Sequence, residues 1–278
     1  MARPYVAMVD YGTGNVHSLG KALERAGCTP RLTRDPDELG RAAGIVLPGV
    51  GAFGPAWRRL EAAGLVPVLR ELVAAGRPLL GICLGMQLLF EGSREDGEWP
   101  GFGFLPGWVE PFAPVPAPAP SASRTRAAIP AMPANPGAEV AGAPPEVAGA
   151  PLKVPHMGWN RVSVPAGSRL LAGLGDGFYA YFVHSYRVPW PLEPLRRRPS
   201  PSSADPDAPG GEAEDASSRR DEPATPLVAL ADYGGPFVAA VEWGPVCGTQ
   251  FHPEKSGPAG LKILRNFGAM CGACDPGP

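Results

Sequence analysis

The residues best suited to covalent chemistry are one cysteine and one His–Glu pair. Cys83 stands in "GICLGMQLLF" (81–90), framed as Gly81-x-Cys83-x-Gly85. A strand-like run, that frame and a following helical pattern have the form of a nucleophile elbow. Glycines flank such a turn because it is too tight for side chains there. The start of a helix offers partial positive charge and free N–H groups, which lower a thiol's pKa toward the reactive thiolate. The N–H of Leu84 would be free to bind an oxyanion beside the sulfur. A buried structural cysteine is the alternative, and this segment alone leaves both open. His252 lies in "GTQFHPEKS" (248–256). Pro253 pushes His252 toward extended backbone, and residues i and i+2 of an extended chain share a side. Glu254 could then hold one imidazole nitrogen while the other faces a thiol, the nucleophile–base–orienter arrangement. By itself His-Pro-Glu is equally an ordinary turn at a strand end. Paired with a cysteine elbow it is specific.

The elements that must bring these residues together alternate in pattern. "YVAMVD" (5–10), "GIVLPG" (44–49) and "RPLLGI" (77–82) are short apolar runs, as buried parallel strands should be. "VHSLGKALERAG" (16–27) carries Val16, Leu19, Ala22, Leu23 and Ala26 at helical spacing and stops at Gly27. Residues 55–76 read as helix in two pieces around Gly64 and Pro67, and "LGMQLLFEG" (84–92) as a short helix. Later come four strand-like runs, 178–188, 227–234, 237–244 and 246–252, and a last helix, 259–270. The expected fold is an α/β domain, three-layered and flavodoxin-like, with a central, largely parallel sheet plus an antiparallel part.

Composition bounds the rest. The chain has 278 residues, 44% of them hydrophobic, with a formal net charge of −2. A sizeable core is available, and no basic face points to nucleic acid. No apolar run reaches the length of a membrane span. The segment "MARPYVAMVDYG" lacks the apolar region of a signal peptide, so a cytoplasmic location is expected. The five cysteines, at 28, 83, 247, 271 and 274, show no disulfide framework. Cys271-x-x-Cys274 has neither a second pair nor a nearby His to complete a zinc site, and is read as a frayed tail with two thiols. No metal or cofactor is expected. Gly12-x-Gly14 could pass for a dinucleotide loop, but the third glycine is missing and Asn15 stands in the motif.

Glycine and proline, 37 each, are both in excess. Two stretches hold much of the proline, 113–151 and 192–226, neither with a helical or strand period. They are expected to be flexible surface insertions in a single domain spanning 1–278, since loops tolerate length at small cost.

"GICLGMQLLF" with "QFHPEKS" resembles the class I, triad-type glutamine amidotransferases. The resemblance covers most of the chain outside the insertions. It implies Cys83 as nucleophile, His252 as base and Glu254 as orienter. It also implies that Gln87 contacts substrate glutamine, that Ser185 offers backbone contacts to it, and that "VLPGVGAF" (46–53) is an oxyanion loop. Gly49 and Gly51 can turn N–H groups toward the thioester oxygen there. Within the family, "DYGTGNVHSL" (10–19), "KVPHMGWNRV" (153–162), "YFVHSYRV" (181–188) and Lys255 resemble the glutaminase subunit of imidazole glycerol phosphate synthase. That implies ammonia delivery to a (β/α)₈ cyclase partner in a heterodimer, with Asn15, Met157, Trp159 and Lys255 at the interface. His17 is read as a surface or helix-end residue, and His156 and His184 as structural or interfacial. The alternative within the family is the glutaminase subunit of an anthranilate or pyridoxal-phosphate synthase. Outside enzymes, it is a binding protein that keeps the fold.

Overall fold

The structure, a computed structural model, describes residues 4–12, 14–112, 152–192 and 225–274. Apart from Leu192, Thr225 and Pro226, the two Pro-rich insertions lie outside the described residues.

The strands are β1 (Val6–Val9), β2 (Pro30–Thr33), β3 (Gly44–Leu47), β4 (Leu79–Ile82), β5 (Phe90–Ser93), β6 (Trp99–Pro100) and β7 (Leu105–Pro111). After the first insertion come β8 (His156–Ser163), β9 (Gly177–His184), β10 (Tyr186–Arg187), β11 (Leu227–Asp232), β12 (Pro236–Trp243) and β13 (Val246–Thr249). The helices are α1 (Val16–Arg25), α2 (Pro36–Arg41), α3 (Phe53–Ala62), α4 (Leu65–Ala74), α5 (Leu84–Leu88) and α6 (Gly257–Met270).

A seven-stranded sheet in the order β11-β12-β13-β4-β3-β1-β2 forms the middle of the molecule. From β2 to β13 neighbours pair in parallel, and β12 and β11 then add on antiparallel. β1, β3, β4 and β13 are buried along their whole length, as strands covered on both faces must be. Alternation along β1 divides the core. Ala7 and Val9 join Leu60 and Leu69 of α3 and α4. Val6 and Met8 join Leu19 and Leu23 of α1 with Ile263, Leu264 and Phe267 of α6. The three layers expected from the sequence are present.

β8 and β9 form a separate antiparallel ribbon, and β10-β7-β5-β6 a small sheet. The break in the long helical stretch falls where expected: Gly64, in the left-handed region at φ 67°, separates α3 from α4, with Pro67 in the first turn of α4. The helix after Cys83 is shorter than expected. It ends at Leu88, and Phe90–Ser93 become strand β5, paired with β6 and β7. Pairing across a sheet overrides helical propensity in this short apolar run.

The expected absence of a disulfide is wrong. Cys28, just beyond α1, is bonded to Cys274, just beyond α6, and the tail read as two thiols is pinned there. Linear spacing could not reveal a partner 246 residues away. Cys271 remains a thiol, which burial pushes up to about 12. Among the described residues, no helix is long and apolar enough to cross a membrane, and no group of His, Cys, Asp and Glu could hold a metal ion.

Candidate active site

Cys83 stands between β4 and α5 with φ 54° and ψ −111°, a backbone setting that L residues rarely adopt. Its N–H donates to the Thr249 carbonyl at 2.7 Å, tying the corner to the end of β13. The flanking glycines are there for space. A Cβ on Gly81 would lie 2.6 Å from the Gly85 carbonyl oxygen, and one on Gly85 would run into the Leu47 carbonyl. Leu84 is the first residue of α5, so its N–H has no acceptor within the helix.

The loop 48–51 packs directly on this corner. A Cβ on Gly49 would lie 2.6 Å from the Gly85 nitrogen and 2.8 Å from Leu84 Cβ. Gly51 adopts φ 95°. The Tyr11 hydroxyl holds the loop by donating to the Pro48 carbonyl at 2.6 Å. On its far side, the N–H of Phe53 donates to the Glu95 carboxylate at 2.8 Å. Burial raises the pKa of Glu95, against the lowering effect of that N–H.

His252 arrives from β13. Its N–H donates to the Tyr181 carbonyl at 3.0 Å, and the Ser256 hydroxyl donates to its carbonyl at 2.7 Å. Its imidazole Nδ1 is 2.8 Å from Glu254 Oε1, and the same ring is hydrogen-bonded to the Cys83 side chain. The chain reaches this contact by a route other than the expected strand alternation. His252 is extended, but Pro253–Lys255 form a 3₁₀ turn that swings Glu254 back under the ring. Burial alone would lower the His252 pKa. The hydrogen bonds to Cys83 and Glu254, with the charge on each, outweigh it and raise the value to about 9. At neutral pH the ring is an imidazolium between a sulfur and a carboxylate.

Three further side chains enter this cluster. Asn15, the left-handed residue that starts α1, donates from Nδ2 to Glu254 Oε1 at 2.6 Å, across 239 residues of chain. Sequence reading placed Asn15 at the partner interface and missed this bond. Among the described residues, Glu254 Oε2 has no hydrogen-bond partner; Glu254 also lines a cavity of about 360 Å³ between α1 and α6, with Ser18, Lys21 and Arg25. Gln87 donates from Nε2 to the Tyr186 carbonyl and to Gln250 Oε1, both at 3.0 Å. The donor end of Gln87 is therefore engaged by the protein, leaving its carbonyl end for a ligand. Gln250 donates to Cys83 Sγ at 3.8 Å and was not singled out from sequence. Its signal was position, two residues before His252 on the segment leaving β13.

Ser185 lies between β9 and β10, half-buried. Met157 and Trp159 point outward from β8, 60% and 41% exposed, while His156 between β8 and the core is buried. Trp159 packs edge-on against Tyr181, and Lys255 Nζ sits 5.9 Å from the same ring. These residues make one surface patch adjoining Glu254.

A cysteine sulfur, an imidazolium and a carboxylate in hydrogen-bonded series, beside a glycine loop packed on a strand–helix corner, are the groups that a triad-type cysteine hydrolase or acyl-transfer site needs. The profile of the family "Glutamine amidotransferase class-I" matches residues 7–199. The chain belongs to that family. It is 40% identical over 269 residues to the "Imidazole glycerol phosphate synthase subunit HisH" of Leifsonia xyli subsp. xyli, covering 96% of this chain and 98% of the relative. It is 39% identical over 262 residues to the subunit of the same name from Geobacillus kaustophilus, covering 94% and 95%. The crystal structure of a glutamine amidotransferase superposes with a TM-score of 0.56 at 19% identity, covering 96% of this chain and 98% of the other, which speaks to the fold.

Proposed function

We propose that this chain is the glutaminase subunit of an imidazole glycerol phosphate synthase. The carrying observation is the hydrogen-bonded series Cys83–His252–Glu254. The near-full-length similarity to HisH subunits supports the choice of synthase.

In this reading the Cys83 sulfur attacks the side-chain amide carbon of glutamine. The oxyanion is received by the Leu84 N–H and by N–H groups of the loop holding Gly49 and Gly51. His252, charged at neutral pH, gives its proton to the leaving nitrogen, and ammonia departs from a glutamyl thioester. The neutral imidazole then takes a proton from water as the water attacks the thioester. Glutamate leaves and the sulfur is restored, so one glutamine and one water give one glutamate and one ammonia. Glu254 keeps the ring oriented and favours its charged form.

The ammonia goes to a (β/α)₈ cyclase partner, which closes imidazole glycerol phosphate and releases an aminoimidazole carboxamide ribotide in histidine biosynthesis. The exposed Met157 and Trp159, with Lys255, are the proposed contact, an apolar and cationic patch beside the triad acid. A cytoplasmic location fits a biosynthetic role, with the Cys28–Cys274 bond as an unusual feature for that compartment.

The test is a mixing assay with the candidate cyclase, reading glutamate release and product formation. Glutamate release should be low for the chain alone and rise with the cyclase and its ribotide. Cys83→Ala should abolish glutamine-dependent synthesis and leave ammonia-dependent synthesis intact. High activity of the isolated chain would contradict the proposed dependence on the partner. Activation by a chorismate-binding or pyridoxal-phosphate-forming partner instead would reassign the synthase.

A further inference from the structure

Gln250 has no solvent exposure, so both ends of its side-chain amide must find partners inside the protein. Which end faces the sulfur is settled by backbone carbonyls, which only accept. The Tyr186 carbonyl receives Gln87 Nε2 at 3.0 Å, so that end of Gln87 is the donor. The same Nε2 lies 3.0 Å from Gln250, which must therefore present its oxygen. The Gln250 N–H end is left for Cys83 Sγ, 3.8 Å away.

A second line of bonds ends on the same carbonyl. His184 Nδ1 is 2.8 Å from the Tyr186 oxygen, so Nδ1 carries the proton and Nε2 accepts. His156 Nδ1 is 3.0 Å from that Nε2 and must donate to it. Asn160 Nδ2, identified as nitrogen by its 2.8 Å bond to the Asp232 carbonyl, faces His156 Nε2 at 3.3 Å. Burial holds both rings neutral, His184 lowered to about 3 and His156 to about 4, so the donor directions persist at neutral pH. The Tyr186 carbonyl is thus fixed from both sides.

We propose that Gln250 is a positioning residue for the nucleophile, its side-chain amide donating to the Cys83 sulfur in an orientation set by Gln87 and the Tyr186 carbonyl. A donor at that place favours thiolate over thiol and holds the sulfur toward the substrate carbon. The inference rests on the reading of Cys83 as nucleophile. Loss of glutamine-dependent synthesis in Cys83→Ala tests that reading separately.

The experiment follows alkylation of the Cys83 peptide in the full chain by iodoacetamide, across pH, by mass spectrometry. Gln250→Met keeps the shape and removes the donor; it should raise the midpoint by about one unit and slow alkylation below it by about tenfold. Gln250→Glu keeps an oxygen for Gln87 but turns an acceptor toward the sulfur, and should raise the midpoint further. An unchanged midpoint in either variant, when its melting transition shows it folded, overturns the proposal. In the unsubstituted protein the Gln250 side-chain amide proton resonance should titrate with the alkylation midpoint. A resonance that stays still overturns the proposal whether or not the variants fold.

Discussion

Glu254 Oε1 accepts from two sides, Asn15 Nδ2 at 2.6 Å and the His252 ring at 2.8 Å. The carboxylate is aimed by a residue at the start of α1, far from it in sequence. Asn15→Ala should therefore lower kcat by about tenfold, the scale of one hydrogen bond to a charged group, with KM for glutamine nearly unchanged. Steady-state kinetics on the assembled synthase checks this, and a change confined to KM would refute it. Glu254→Gln should bring the His252 pKa down from about 9, because the carboxylate's hydrogen bond and charge are among the causes that raise it. A raised histidine pKa contributes stability that is present below its unfolded value of 6.5 and lost as pH rises through about 9. The stability gap between parent and Glu254→Gln should accordingly be widest below pH 6.5 and close between there and 9. Denaturant melts at stepped pH measure it. At this scale the grouping of Cys83, His252 and Glu254 was legible, because Cys83 and His252 each carry a local motif. Gln250 and the second role of Asn15 were not, because each depends on a contact between segments that no local pattern encodes.

The corner between β4 and α5 shows what an element demands of its residues. Gly81 and Gly85 have no room for a Cβ, since backbone carbonyls stand where it would be. Gly85→Ala should cost about 1–3 kcal/mol, the usual range for overpacking a closed site. It should reduce activity by more than that loss explains, because the clash pushes on Leu47 and the loop after it. Thermal melts with kinetics on the folded fraction decide this; full activity would mean that the corner tolerates movement. Sequence patterns located β1, β3, β4, α1 and the α3–α4 break well, because strand burial and helical period are local signals. They failed at α5, where a helix-compatible apolar run becomes β5 by pairing with β6 and β7. They also missed the 3₁₀ turn at Pro253–Lys255, although the contact it delivers was expected.

Across the whole molecule, the seven-stranded sheet places Cys83 at the end of β4 and His252 just past the adjacent parallel strand β13. That adjacency joins two motifs from opposite halves of the chain. The sequence implied the layered fold through alternating elements. It could not show the order of strands, nor that the ends beyond α1 and α6 are bonded through Cys28 and Cys274. A cross-link spanning 246 residues removes unfolded-state entropy worth up to about 5 kcal/mol. Reduction, or Cys274→Ser, should lower the melting temperature by several degrees while leaving Cys83 reactivity unchanged. An equal melting temperature with and without reductant would mean that the bond does not form in solution.

The proposed function requires Cys83 to be the nucleophile of a glutaminase. A diazo-ketone analogue of glutamine, added with the cyclase and its ribotide present and mapped by peptide mass spectrometry, tests it most directly. One covalent adduct is expected, on Cys83, strongly reduced in His252→Asn. No adduct on Cys83 under those conditions, or an adduct on another cysteine in its place, would contradict it.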